Sequence, residues 1–251
     1  MVCTIQCQGV TFEDIDWVLF DKDGTLAQSS AFLYQLGRLR SRFLDAQIPG
    51  VQDPLLMAFG FEDNQLSPQG LIAVGSRAEN EVAAAAYVAE TGRGWVESLE
   101  IVHNAFAEAD ANLGPKQEAT VPIDGVKDLV RSLTQSNTHL GIVSSDITQN
   151  VVAFAQHYGI ADHFEILAGV DTVDKRDRAA CQAFLQTTLP NIKPLDSSRI
   201  IVIGDSLADI QLAQYIDAVG CIGVTWAWNT PYAIPGAGAI ASTPSDITIL
   251  A

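Results

Sequence analysis

Largely apolar runs recur along this chain, and most of them are separated by segments whose apolar residues follow helical spacing. Uninterrupted apolar runs are typical of strands buried on both faces of a parallel sheet. Strands that alternate with helices indicate right-handed crossovers, so the pattern predicts an α/β fold. The predicted strands span residues 17–20, 139–143, 165–168, 200–203 and 219–224.

Residues 28–115 interrupt this alternation and show little strand character. Phe32, Leu36, Leu39 and Phe43 form the apolar stripe of an amphipathic helix. Further helices are expected over residues 79–90, an alanine-rich segment, and over residues 95–111.

The helical stretch indicates an inserted domain. We therefore predict a discontinuous core domain of residues 1–27 and 116–251, and a helical domain of residues 28–115. Hinges are expected near residues 27–30 and 114–122.

Carboxylates follow two of the predicted strands. Asp21 and Asp23 come directly after the first, and Gly24 allows the chain to turn away sharply. Ligands of open α/β sheets bind at the carboxyl ends of the strands, so these acids are expected at the mouth of a site. Asp205 and Asp209 are spaced i, i+4, which places them on one face of a helix that begins after the fourth strand.

Such a cluster of acids is suited to metal-assisted chemistry. Two like charges about 4 Å apart cost about 4 kcal/mol at an effective dielectric constant near 20, so converging carboxylates call for a cation. Oxygen ligands beside a phosphate favour Mg²⁺. A carboxylate nucleophile divides the slow hydrolysis of a phosphate monoester into two steps through an acyl phosphate.

Four segments resemble, in the expected order, the motifs of the haloacid dehalogenase-like (HAD) superfamily. The resemblance spans roughly residues 15 to 245 and implies a Rossmann-like three-layer core with a parallel sheet. Residues 28–115 resemble the helical C1-type cap of subfamily I, of the phosphoglycolate phosphatase-like group. The motifs are Asp21-Lys22-Asp23-Gly24-Thr25-Leu26, the strand that ends in Ser144-Ser145, Lys175 in a charged loop, and Gly204-Asp205 followed by Asp209.

The resemblance implies roles for the acids. Asp21 would be the nucleophile, and Asp23 would protonate the leaving alcohol and later deprotonate the attacking water. Mg²⁺ would be held by the Asp21 carboxylate, the Asp23 backbone carbonyl and Asp205. Asp209 would lie behind these ligands or pair with Lys175. The acids also fit an Asx-type turn at Asp21 and Asp23, or a helix N-cap at Asp205.

The transferring phosphoryl group also needs hydrogen-bond donors and positive charge. By resemblance, Ser144, the backbone amide of Ser145 and Lys175 supply them. Either serine hydroxyl fits the pattern. The family's proline after the lysine is replaced here by Arg176, so Arg176 or Arg178 remains an alternative to Lys175.

Composition and net charge exclude some classes of function. The net charge of −16 argues against a nucleic-acid partner. There is no run of 18 apolar residues and no signal-peptide pattern, so we expect a cytoplasmic protein without a membrane span, a monomer or small homo-oligomer. The four cysteines are expected to be buried free thiols.

The expected function is a Mg²⁺-dependent phosphatase of small phosphorylated metabolites, such as phosphoglycolate or a sugar phosphate. Arg77 and Arg93, which stand beside glycines in the predicted cap, are candidates for binding a second anionic group; the alternative is that they are surface arginines. Rival functions are a phosphomutase of β-phosphoglucomutase type and a HAD fold kept for binding or signalling. A dehalogenase, a receiver domain and a P-type ATPase fit less well, because Asp23 and the long insert are present.

Overall fold

The computed structural model of the chain describes residues 3–188, 197–228 and 232–250. The chain forms two compact units. The core unit comprises Met1–Gln28 and Thr120–Ala251, and the helical unit comprises Ser29–Ala119. These divisions lie one and four residues from the boundaries expected from the sequence.

The described strands and helices have the following bounds. The strands are β1 Cys3–Cys7, β2 Val10–Ile15, β3 Trp17–Phe20, β4 Phe61–Glu62, β5 Gln65–Leu66, β6 His139–Val143, β7 Ile166–Ala168, β8 Ile200–Gly204, β9 Gly220–Val224, β10 Ala239–Ala241 and β11 Ile247–Leu250. The α-helices are α1 Ser30–Gln47, α2 Gln52–Phe59, α3 Leu71–Val74, α4 Arg77–Glu90, α5 Trp95–Ala111, α6 Lys116–Ala119, α7 Val126–Gln135, α8 Thr148–His157, α9 Arg178–Thr188 and α10 Leu207–Tyr215.

A six-stranded sheet, in the order β10-β9-β8-β3-β6-β7, forms the centre of the core unit. Every neighbouring pair is parallel. All five strands predicted from apolar runs are present, and the predicted α/β class is confirmed. The sequence analysis missed β10, because three residues of the sequence Ala-Ile-Ala give too short a pattern to distinguish a strand. Apolar clusters cover both faces of the sheet.

The core unit also contains a three-stranded antiparallel sheet, β11-β1-β2, that the sequence analysis did not predict. Cys3, Ile5 and Cys7 are buried along β1, while Thr4 and Gln6 are partly exposed. Side chains alternate between the two faces of a strand, so this alternation was the available signal. All four cysteines are free and buried, as predicted.

The helical unit contains the expected helices and, in addition, a hairpin of two-residue strands, β4 and β5. Helix α1 buries part of the predicted stripe. Phe32 and Leu36 are buried, as predicted, whereas Leu39 and Phe43 are only half-buried. The buried face also includes Leu33, Arg40 and Leu44, which the predicted stripe did not contain. None of the described helices is both long enough and apolar enough to cross a membrane.

Arg40 is buried and forms a bidentate ion pair with Asp110. Its Nε lies 2.9 Å from Oδ1 and its Nη2 3.0 Å from Oδ2 of that carboxylate. The guanidinium also lies 4.8 Å from the centroid of the Phe106 ring. Arg77 contacts the same carboxylate from α4. Asp110 therefore ties α1 and α4 to α5 through charge as well as apolar packing.

Replacing Asp110 by alanine is expected to lower the free energy of unfolding by about 3 kcal/mol, because a buried Arg40 would lose its partner. The matched control is Asp128→Ala, which removes a carboxylate 2.8 Å from Arg131 on the exposed surface of α7. Exposed pairs of this kind contribute about 1 kcal/mol or less. Urea unfolding followed by circular dichroism measures both changes. Equal decreases in the free energy of unfolding in the two variants would contradict the prediction that the buried pair of Arg40 and Asp110 stabilises the fold more than an exposed pair does.

Candidate active site

Polar residues follow the carboxyl ends of three neighbouring strands of the parallel sheet. Asp21 follows β3, Ser144 follows β6 and Asp205 follows β8, and these strands are neighbours in the order β8-β3-β6. The backbone N–H of Asp21 donates to the carbonyl of Ile203 at 2.9 Å, which continues the ladder into the site. The carboxyl ends of parallel strands meet at one edge of the sheet, so these residues converge.

Two glycines allow the backbone to pass close to these carboxylates. Gly24 has a φ of +83°, and a Cβ placed there would lie 2.0 Å from Oδ2 of Asp205. A Cβ at Gly204 would lie 2.2 Å from Cγ of Asp209. No side chain is tolerated at such distances. The glycines of both predicted motifs are therefore required by packing against the acids.

Lys175 connects the carboxylates at the centre of the site. Its Nζ lies 2.8 Å from Oδ1 of Asp21 and 2.6 Å from Oδ1 of Asp209. The lysine is only 2% exposed. Of the two alternatives considered from the sequence, Arg176 is half-buried and Arg178 is exposed. The structure thus brings Lys175 to the acids from the loop between β7 and α9.

Burial and neighbouring charges together raise the pKa values of Asp21, Asp205 and Lys175. Burial raises the pKa of Asp21 to about 6, against the opposing effect of Lys175. Burial and the negative charges of Asp21 and Asp209 raise the pKa of Asp205 well above its usual range. Burial alone would lower the pKa of Lys175, but the carboxylates of Asp209 and Asp21 raise it. The site therefore holds a permanent ammonium and carboxylates that need more cationic charge.

Asp209 is fixed by the start of α10. Its Oδ2 accepts hydrogen bonds from the backbone N–H of Ser206 at 3.0 Å and from the Ser206 hydroxyl at 2.7 Å. The helix begins at Leu207, and Ser206 is its N-cap. The N-cap considered for Asp205 is therefore wrong by one residue. With its other oxygen on Lys175, Asp209 has both oxygens engaged and is fully buried.

The donor set of the site suits a divalent cation. Carboxylate oxygens of Asp21, Asp205 and Asp209 all lie within 4.8 Å of one another. In the described part of the chain, hydrogen bonds engage one oxygen of Asp21 and one of Asp205, leaving Asp21 Oδ2 and Asp205 Oδ1 as the candidate ligands. Hard oxygen ligands of this kind favour Mg²⁺ or Ca²⁺. The carboxylate of Asp23 lies outside this group.

The two serines after β6 differ in their surroundings. Ser144 is 1% exposed and its Oγ accepts a hydrogen bond from the backbone N–H of Asp146 at 3.1 Å. Ser145 is half-buried. Ser144 therefore lies buried at the strand end with its hydroxyl oxygen accepting a hydrogen bond from the turn that follows.

Aromatic residues of the loop after β9 contact the site, and the sequence analysis did not select them as site residues. The indole N–H of Trp228 donates to Oδ2 of Asp205 at 3.0 Å, and that of Trp226 donates to the carbonyl of Thr25 at 2.9 Å. The hydroxyl of Tyr232 donates to the backbone carbonyl of Asp205 at 2.5 Å. Both tryptophans also pack against the core cluster.

Lys22 and Asp146 are two further charged residues that the sequence analysis did not select. Lys22 is buried between Asp23 and Asp146. A lysine two residues after a fully buried strand requires a partner, so its position was the available signal. Asp146 comes directly after the two serines, at the edge of the sheet where β3 and β6 both end.

The two arginines considered for substrate binding lie in the helical unit and have partners there. Arg77 pairs with Glu81 at 2.8 Å and also contacts Asp110. Arg93 donates to Oγ1 of Thr91 at 2.6 Å and remains partly exposed. Of the two, Arg77 is held by two carboxylates and Arg93 has the freer guanidinium.

Comparison with known proteins agrees with this arrangement. The model of the haloacid dehalogenase-like hydrolases matches residues 15–217. The phosphoglycolate phosphatase of Escherichia coli K12 is 26% identical over 226 residues, which are 89% of this chain and 86% of the relative. The phosphoglycolate phosphatase of Synechococcus elongatus is 29% identical over 126 residues, or 49% of this chain. That alignment spans 56% of the Synechococcus protein, about half its length.

The fold is also found in solved structures. A crystal structure of a predicted phosphoglycolate phosphatase from Haemophilus somnus 129PT superposes with a TM-score of 0.64 and 19% identity. The match covers 92% of this chain and 96% of that one. At this identity the likeness shows the fold and nothing finer.

Proposed function

Because this chain belongs to the haloacid dehalogenase-like hydrolase family and is thus a hydrolase, we propose that it is a Mg²⁺-dependent phosphatase. Its substrates are small phosphorylated metabolites, and the reaction passes through an aspartyl phosphate. The observation that carries the proposal is the buried group of Asp21, Asp205 and Asp209, with Lys175 joining two of the three.

In the first step, an oxygen of Asp21 attacks the phosphorus of the ester. The bond from phosphorus to the ester oxygen breaks, and Asp23 gives a proton to that oxygen so that a neutral alcohol leaves. Lys175 donates a hydrogen bond to Oδ1 of Asp21 and thereby fixes the orientation of the nucleophilic carboxylate. The product of this step is a phosphoryl group on Asp21.

In the second step, water attacks the phosphorus of the aspartyl phosphate. Asp23, now a carboxylate, accepts a proton from the water, and the bond from phosphorus to the Asp21 oxygen breaks. Inorganic phosphate leaves and both acids return to their starting forms. The Lys175 ammonium, the Ser144 hydroxyl and the Ser145 amide are the donors that we assign to the equatorial oxygens of the phosphoryl group.

A divalent cation would be held by Asp21, Asp205 and the backbone carbonyl of Asp23, with Asp209 behind them. When bound, it supplies positive charge to the phosphate oxygens as charge develops. The residues fit this role, because burial without a further cation raises the pKa values of Asp21 and Asp205. Trp228 and Tyr232 orient Asp205 for it from the loop after β9.

The names of the relatives support small phosphate monoesters as the substrate class. Two are phosphoglycolate phosphatases, so 2-phosphoglycolate is the first substrate we propose. Arg93 is the better placed of the two arginines considered for a substrate carboxylate, because its ion-pair distance of 3.9 Å to Glu97 is longer than the 2.8 Å between Arg77 and Glu81. The helical unit as a whole is proposed as the cap that selects the substrate.

The test is phosphate release from a panel of esters with Mg²⁺, including 2-phosphoglycolate, sugar phosphates and nucleotides. The Asp21→Asn variant serves as the blank. We expect release that stops on addition of a chelator and returns with excess Mg²⁺. Release that persists in chelator would contradict the metal site. Absence of release from every ester would overturn the phosphatase assignment and favour a phosphomutase, which is detected as isomerisation of a sugar phosphate.

The stability of the metal-free protein is expected to decrease as the pH rises from about 4 to about 6. The folded-state pKa of Asp21 is about 6, above the usual value of about 3.9. Between these values the folded state binds more protons than the unfolded state, so the free energy of unfolding falls with pH. Mg²⁺ binds the ionised form of the Asp21 carboxyl. The increase in the free energy of unfolding caused by Mg²⁺ is therefore expected to grow between about pH 4 and about pH 6.

Thermal unfolding at pH 4.5, 6 and 7.5, with and without Mg²⁺, measures both trends. In Asp21→Asn, the part of the decrease in stability that is caused by titration of Asp21 should be absent. A metal-free protein whose stability rises between pH 4.5 and 6 by the same amount in both variants would contradict the shifted pKa.

A further inference from the structure

A buried lysine lies between two carboxylates beside the proposed acid/base. Lys22 is 1% exposed. Its Nζ lies 2.7 Å from Oδ2 of Asp23 and 3.1 Å from Oδ2 of Asp146. The Nζ also lies 5.9 Å from the centroid of the Phe154 ring. A buried ammonium is tolerated only when it is paired, so this lysine is held firmly by the two acids.

Asp146 is itself anchored to the turn after β6. Its Oδ1 accepts hydrogen bonds from the backbone N–H of Ile147 and from Nδ2 of Asn150, both at 2.8 Å. Its backbone N–H donates to Oγ of Ser144 at 3.1 Å. The ion pair with Asp146 thus links Lys22 to the segment that carries the proposed phosphate-binding serines. The negative charge of Asp146 also balances the positive charge of Lys22.

This pairing separates Asp23 from the other acids. The oxygens of Asp21, Asp205 and Asp209 form one compact group, which does not include Asp23. Lys22 instead engages Oδ2 of Asp23 on the side of β6. That hydrogen bond holds the Asp23 carboxylate, two residues from Asp21, apart from the oxygens of this group.

We propose that Lys22, supported by Asp146, is a positioning residue that keeps the Asp23 carboxylate out of the metal group and in place for proton transfer to the leaving group. The inference rests on the proposed phosphatase function. It extends that function because the proposed mechanism gives Lys22 no part in binding the phosphoryl group or the cation.

The leaving group distinguishes this role from a general contribution to folding. When phosphate is transferred from an alkyl ester to Asp21, the alkoxide that leaves must receive a proton from Asp23. When it is transferred from p-nitrophenyl phosphate, the phenolate is stable enough to leave without one. Loss of a well-placed acid therefore slows the alkyl ester far more than the aryl ester, whereas loss of folded protein slows both equally.

The experiment compares kcat/KM for p-nitrophenyl phosphate with kcat/KM for the best alkyl ester in wild type, Lys22→Met and Asp146→Asn. We expect the aryl-to-alkyl ratio to rise at least about tenfold in both variants, mainly through kcat on the alkyl ester. Asp146→Asn keeps the size of the side chain, so it tests the inference if Lys22→Met does not fold. The matched control is Lys127→Met, which removes an exposed lysine from α7 and should leave the ratio unchanged.

Equal losses on both esters, or an unchanged ratio in active variants, would overturn the role of Lys22 and leave the phosphatase function intact. A wild-type protein inactive on both esters would instead overturn the phosphatase function, and the role of Lys22 with it. The two failures are therefore distinguished by the wild-type measurement alone.

Discussion

Replacing Asp21 by asparagine is expected to lower phosphate release at least about 10³-fold, because the amide cannot act as the nucleophile. The folded protein should be at least as stable as the wild type at pH 7.5 without metal. Asparagine keeps an oxygen that can accept the hydrogen bond from Lys175, which is 2.8 Å away in the wild type. It also removes one of the buried negative charges that repel one another.

Initial rates of phosphate release and urea unfolding measure these opposite effects on the same sample. A conserved unfolding curve with lost activity separates chemistry from folding. The control is Asp124→Asn, an exposed acid near the start of α7, which should change neither quantity. If Asp21→Asn retained activity within about tenfold of the wild type, the nucleophile would have to be another residue.

Replacing Lys175 by methionine is expected to damage both activity and stability. The variant leaves Asp21 and Asp209 buried without their shared cation, which should lower the free energy of unfolding by about 3 kcal/mol at pH 7.5 without metal. Phosphate release should fall at least about 10³-fold, because the charge that holds the nucleophile and faces the phosphoryl group is lost. At pH 4.5 the stability loss should shrink, since Asp21, whose pKa is raised to about 6, then binds a proton.

Arg178→Met is the matched control for this prediction. Arg178 lies in the same charged stretch but is exposed at the start of α9, so its loss should have little effect on either measurement. If Arg178→Met abolished activity while Lys175→Met did not, the arginine considered from the sequence would be the functional cation. Parallel measurement of kcat and urea unfolding in the two variants decides between them.

The parts of the fold and site that could be predicted are those that a short stretch of sequence encodes. Apolar strands ending in Asp21, Ser144 and Asp205 are local patterns, and parallel strands bring their ends together whatever the loops between them contain. The bounds of α5 were predicted for the same reason, because its helical stretch is continuous. Among the described strands of the central sheet, the three-residue β10 was the one too short to detect.

The parts that were missed depend on contacts between distant positions. The burial of Arg40 on α1 depends on its ion pair with Asp110, 70 residues away in the sequence. Trp228 meets Asp205 across 23 residues, and Lys22 meets Asp146 on a different strand end. A buried charge signals that a partner exists, but periodicity does not identify it. The pairing of β1 with β11 joins the two ends of the chain and has no local signature at all.

Because Trp228 donates a hydrogen bond to Asp205, its fluorescence is expected to report cation binding at the site. The indole N–H lies 3.0 Å from Oδ2 of a carboxylate that we assign to the metal. Indole emission responds to the charge and hydrogen bonding of its neighbours, so neutralising Asp205 should shift the spectrum. Titration of Mg²⁺ into the protein would then follow ligation without a substrate, and the change should vanish in Trp228→Phe but persist in Trp226→Phe. The same tryptophan would register the phosphorylated intermediate as it forms and decays.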